Sequence, residues 1–214
     1  PMSLAISTSP KTLVDTFGVV TERTNRIVRD VVLVIGFAVL TAILAQVHFS
    51  LGFTPVPITG QTLGVLLSGA ALGWRRGALS MGTYWLVGIF MPIAWYAGDD
   101  SGSNISAGWH MATGTTAGYL FGFVVAAAFV GYLAERGQDR SFSTSLPAML
   151  AGSVIIYVFG VLWLAHKLSV PVFNGEQNAV GYGLTPFLAG DLVKLCIAGV
   201  LTPAAWKFVG RKSN

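Results

Sequence analysis

Charge is scarce in this chain: Asp, Glu, Lys and Arg make up 10% of its 214 residues, against about a quarter in ordinary soluble domains. A water-soluble globule is therefore excluded. Cysteine is nearly absent as well. Cys196 stands alone inside an apolar run, so no disulfide framework exists, and we expect it as a small buried residue. No G-x-x-x-x-G-K-[ST] string occurs and no lysine follows a glycine, which removes ATP binding through a P-loop. Nothing resembles G-x-S-x-G, so an intramembrane hydrolase has no motif to stand on and no catalytic residue is assigned. His48, His110 and His166 lie far apart without cysteine partners, a pattern unlike a zinc site. No basic stripe is interleaved with aromatics, which argues against nucleic acid despite a net charge of +4. No internal repeat or low-complexity tract is visible, and residues 1–214 read as one integral membrane domain.

What is present is oil: 53% hydrophobic residues and 12% aromatics, with a mean hydropathy of +0.67. A helix needs roughly 20 apolar residues to span the hydrocarbon, and such stretches fall at 30–48, 77–96, 113–133, 147–166 and 187–209. A shorter sixth, 61–74, can be extended by 56–60. Counting it as a crossing sorts the cations. Lys11, Arg23, Arg26, Arg29, Arg75, Arg76, Arg136, Arg140, Lys207, Arg211 and Lys212, 11 of the 13, then share one side. The positive-inside rule makes that side cytoplasmic. The expected fold is an all-α membrane protein of six transmembrane helices over 30–209, multi-pass in the plasma (inner) membrane, with both termini cytoplasmic. Residues 1–29 carry no apolar core ahead of a small-residue cleavage site, so we expect no removable signal but a cytoplasmic, interfacial amphipathic helix.

Within the last span, "LTPFLAGDLVKLCIAGVLTPAAW", Asp191 and Lys194 share one helical face. A charge at the bilayer centre costs about 2.5–3.5 kcal/mol on insertion scales, which makes such a pair a candidate site. With the helix starting at Thr185-Pro186, the pair lies in the outer half, beneath long outer loops rich in Gly, Pro and Asn. Ammonium beside carboxylate offers donors and acceptors at nearly zero net charge, suited to a polar, hydrogen-bonding ligand head. Tyr84, Trp85, Trp95, Tyr96 and Trp109 are expected at matching depth as flat walls, giving a site for a small amphipathic ligand.

The strings "TPVPITGQTLGVLLSGAALGWRRGALSMGTYWLVG", "TGTTAGYLFGF", "GVLWLA" and "PFLAGDLVK" resemble, in order and spacing, the signature segments of the BioY family, the substrate-binding S components of energy-coupling-factor (ECF) biotin transporters. The resemblance covers about residues 54–200. It implies biotin captured from outside for uptake into the cytoplasm and no enzymatic activity. It also implies no cofactor, and as partners a transmembrane coupling subunit (T component) and two ABC ATPase subunits. Asp191 and Lys194 look like the family's ligand-contacting pair. The third loop, "WYAGDDSGSNISAGWHMATG", is longer than the family's usual Gly-rich stretch, and Asn104 is its candidate amide contact. Ala38-x-x-x-Ala42 resembles the small-residue motif that meets the coupling subunit, where small side chains allow close helix approach. The runner-up function is a self-sufficient secondary transporter or channel for a small amphipathic carboxylate, with Asp191 as proton or ion relay.

Overall fold

The computed structural model describes residues 12–17, 23–91, 94–97 and 108–210. Six longer helices form the body: α1 Arg23–Ala45, α2 Gln61–Leu72, α3 Trp74–Phe90, α5 Ala117–Ala134, α6 Phe142–Leu168 and α8 Leu188–Gly210. The short helices α4 Trp109–Thr113 and α7 Ala179–Gly183, and a two-residue β-ribbon pairing β1 His48–Phe49 antiparallel with β2 Ile58–Thr59, cap one end. Among the described residues, four helical stretches are long and apolar enough to cross a membrane: Thr24–Ala45, Ala117–Ala134, Phe142–Leu168 and Ala179–Val209. The helix α2 has 12 residues, or ~18 Å at ~1.5 Å each, short of the ~30 Å hydrocarbon. One residue, Gly60, separates α2 from β2.

α2 is the hub, packed by α1, α3, α5 and α8, and its composition explains why. Gly64, Ser68, Gly69, Ala70 and Ala71 carry little bulk, so neighbouring backbones come close. A Cβ at Gly69 would stand 2.6 Å from the Ala127 carbonyl of α5, a distance real Cβ atoms do not reach. Gly73 makes the α2–α3 turn at φ +82°, in the left-handed region that glycine adopts without penalty. Ser145 of α6 and Thr202 of α8 hydrogen-bond at 2.9 Å, joining two helices that each carry a proline, Pro147 and Pro203.

Several positions differ from the expectations. Of residues 1–29, expected as an interfacial amphipathic helix, 1–11 and 18–22 lie outside the described residues; the described ones form a five-residue 3-10 helix, Leu13–Phe17, and the start of α1 at Arg23, which takes up the basic turn. The 3-10 helix packs Val14 against Leu72 and Ala71, at the end of α2 away from the cap. Cys196 is exposed rather than buried, because Asp191 and Leu195 take the inward face of α8. Ala38 and Ala42 are 1% and 6% exposed, turned onto α2 and α3 together with the buried Thr41. In this arrangement the small side chains let α1 pack closely within the chain. The face of α1 turned outward is aliphatic: Val28, Val32, Ile35, Val39 and Ile43.

Candidate functional site

Asp191 and Lys194 come together at the capped end, on the inner face of α8. A 3-10 turn, Thr185–Phe187, with Pro186 inside it, precedes the helix proper. The start of α8 at Leu188 thus puts Asp191 in its first turn, where the helix dipole favours a carboxylate. Lys194 follows one turn later and pairs with Asp191 through Nζ and Oδ1, their side chains 14% and 6% exposed. Three further elements supply partners. Tyr157 of α6 donates its O–H to Asp191 Oδ2, and Thr62 of α2 donates to Oδ1 at 3.4 Å. Lys194 Nζ donates to the Thr59 carbonyl at 2.8 Å. That last bond satisfies a backbone carbonyl of the extended segment.

These groups form the polar side of a cavity of about 50 Å³, room for only a few waters. Gln61 and Tyr96 join Asp191 and Lys194 on it, and Phe123, Ile156 and Phe187 face them with apolar walls. Cap hydrogen bonds hold the surroundings: Tyr119 O–H to the Gly183 carbonyl at 2.8 Å and Thr54 O–H to the Tyr182 carbonyl at 2.7 Å. Donors, acceptors and flat apolar walls suit reversible binding of a small molecule with a polar, hydrogen-bonding head.

The aromatic residues expected as walls disperse. Tyr96 lines the cavity. Tyr84 is 0% exposed and lies behind it, accepting from Gln61 Nε2 at 2.5 Å and donating to the Trp95 carbonyl at 3.2 Å. It reaches the cavity through Gln61. Trp95 stacks on Tyr84 at 5.8 Å, and its indole N–H returns to the Tyr84 carbonyl. Trp85 turns to a separate apolar groove with Phe121 and Trp163, and Trp109 is 65% exposed. Asn104 lies outside the described residues. Sequence reasoning missed Gln61, Thr62, Tyr119 and Tyr157. The available signal was that each is a hydrogen-bonding group within or at the end of an apolar helix.

A helical bundle with membrane-length apolar helices and a charged, partly apolar cavity under one capped end defines the class: an integral membrane protein built to hold a small polar molecule. The family follows from comparison. A model described as "BioY family" matches residues 12–211. The chain is 37% identical over 182 residues to a protein named "Biotin transporter BioY" from Rhizobium etli, covering 81% of this chain and 90% of that one. It is 34% identical over 166 residues to a protein of the same name from Thermotoga maritima, covering 77% and 88%. A solved structure, described as the S-component for biotin from an ECF-type ABC transporter, superposes with a TM-score of 0.73 over 87% of this chain and 95% of its own. At 20% identity it attests the fold. The chain belongs to the BioY family, a family of transporters rather than enzymes.

Proposed function

We propose that this chain is the biotin-capturing S component of an ECF-type importer, with the cavity beside Asp191 and Lys194 as its substrate site. One observation carries the reading. A charged pair, held by groups from three other elements, lines a small cavity at the capped end of a BioY-family membrane bundle. The chemistry of biotin suits it. Lys194 has three N–H groups; the described contacts use two, so the third can meet the ureido oxygen. Asp191 retains acceptor capacity for a ureido N–H. Phe123, Ile156 and Phe187 offer apolar contact to the thiophane ring. Tyr84 acts through Gln61, and Asn104 remains the candidate contact from the third loop.

All six longer helices cross, α2 completed by the extended segment at β2, and both termini are cytoplasmic. Supporting this orientation, Arg29 and Arg76 are ion-paired with Asp15 and Asp30 beside the α2–α3 turn, at the end opposite the cavity, which leaves the cavity facing outward. The energy comes from other chains, a transmembrane coupling subunit and two ATPases, since this chain has no P-loop. Ligand released from the purified protein and weighed by mass spectrometry, followed by calorimetric titration with biotin, tests the substrate. A released mass other than biotin, together with silent titration, would overturn it. Single cysteines test orientation: at Arg75 or Arg136 they should label only from the cytoplasm, at Glu176 only from outside, and outside labelling at Arg75 would reverse it.

A further inference from the structure

Tyr157 stands where the polar cavity comes within one side chain of the membrane-facing surface. A second, apolar groove of about 510 Å³ runs between α6 and α8. Its walls include the exposed aliphatic residues Leu150, Val154 and Val158 of α6 and Leu188 and Leu192 of α8. Tyr157 and Asp191 line both the groove and the cavity, and they are the two residues the sites share. The partition between a charged site and hydrocarbon is therefore one hydrogen-bonded pair thick.

Both carboxylate oxygens of Asp191 are held, but not equivalently. Oδ1 takes Lys194 and Thr62, from its own helix and from α2; Oδ2 takes the Tyr157 hydroxyl. Deprived of that donor, Oδ2 would border aliphatic surface, and a carboxylate oxygen there is costly. Rotation of the carboxylate would relieve the cost and undo its aim. The tyrosine ring is itself braced: Tyr119 meets it edge-on at 6.3 Å and 89°, and Tyr119 is tied to the Gly183 carbonyl.

We propose that Tyr157 is a positioning residue of the ligand site: its hydroxyl fixes the Asp191 carboxylate in its ligand-facing orientation, and its ring closes the cavity against the lipid-facing groove. The proposal rests on the reading that Asp191 contacts biotin. Two losses separate the roles. Tyr157→Phe removes the hydroxyl and keeps the wall, whereas Tyr157→Ala removes both.

The test is calorimetric titration with biotin in lipid nanodiscs, with infrared spectra of each protein, for wild type, Tyr157→Phe, Tyr157→Ala and Asp191→Asn. The carboxylate band missing from Asp191→Asn identifies Asp191. The proposal expects Tyr157→Phe to bind about tenfold more weakly, the loss of one hydrogen bond to a charged group. The Asp191 band should persist but shift, and Tyr157→Ala should bind more weakly still. Packing alone would leave the band unmoved. Wild-type affinity and an unshifted band in Tyr157→Phe, with Asp191→Asn weakened, would overturn the positioning role alone. Wild-type affinity in Asp191→Asn would overturn the underlying reading, and this proposal with it. Should Tyr157→Ala fail to fold, the near-isosteric Tyr157→Phe decides the matter.

Discussion

The two ends of the bundle use the same kinds of group for different ends. At the capped end one carboxylate and one ammonium are buried, and their hydrogen-bonding capacity is met by Tyr157, Thr62 and the Thr59 carbonyl. At the opposite end Arg29, Arg76, Asp15 and Asp30 form a network whose side chains remain 21–40% exposed. Exposed pairs contribute about 0–1 kcal/mol each, while breaking a buried pair costs several times more, because the survivor stays charged and desolvated. Electrostatics at one end fastens the 3-10 helix to α1 and α3. At the other it lines a cavity.

The largest contrast should come from charge removal at each end. Asp191→Asn is expected to weaken biotin binding by about 2–5 kcal/mol, beyond tenfold at ~1.4 kcal/mol per decade, while Arg76→Gln leaves binding unchanged. Parallel titrations check this, and equal losses would erase the distinction. Tyr119→Phe, which frees the Gly183 carbonyl at the cap, should cost about 1 kcal/mol of binding; an unchanged affinity would remove the Tyr119 tie from the account.

The basic end should respond to pH in two opposite ways. Burial pushes Asp15 up, but the Thr12 hydroxyl and the Arg76 and Arg29 guanidiniums outweigh it and hold its carboxyl below the ordinary value of 3.8. A lowered carboxyl stabilises the fold above its unfolded pKa and stops doing so as pH falls through the folded one. Melting scans from pH 6 down through about 3 should therefore show an Asp15-dependent loss that Asp15→Asn abolishes. Asp139 moves the other way. Burial raises its pKa, against the Trp206 N–H and Arg140, and its Oδ1 is buried without a hydrogen-bond partner among the described residues. A raised carboxyl costs stability at neutral pH and favours folding as pH falls. Asp139→Asn should thus raise the melting temperature at pH 7 slightly, by about 2–4 °C; a fall would show that the carboxylate is worth its desolvation.

Much of the fold lay open in the sequence because apolar runs of membrane length have few alternatives. The 77–96, 113–133 and 187–209 stretches become α3, α5 and α8 with ends moved by a few residues. Orientation of residues about a helix did not. A four-residue spacing places Ala38 and Ala42 on one face but says nothing of which way that face turns; the close approach of α2 at Gly64, where a Cβ would meet Thr41, draws it inward. The Asp191–Lys194 pair stood out because charge is anomalous in oil. Tyr157 and Tyr119 did not, since a tyrosine in an apolar helix also fits the interfacial belt, and their partners lie 34 and 64 residues away. The β-ribbon, two residues a strand, is too short for any period to register.

The charged pair of α8 can meet the ligand or merely close the structure; we propose the first. Lys194 separates the two, because its bond to the Thr59 carbonyl alone would make it a tie for the extended segment. Calorimetric titration of Lys194→Ala with biotin, on protein shown by gel filtration to be inserted and monodisperse, is the direct measurement. Ligand contact predicts a loss greater than tenfold, and greater than that of Asp191→Asn, which keeps its shape and one acceptor. Wild-type affinity in Lys194→Ala would contradict it and return the pair to a structural role.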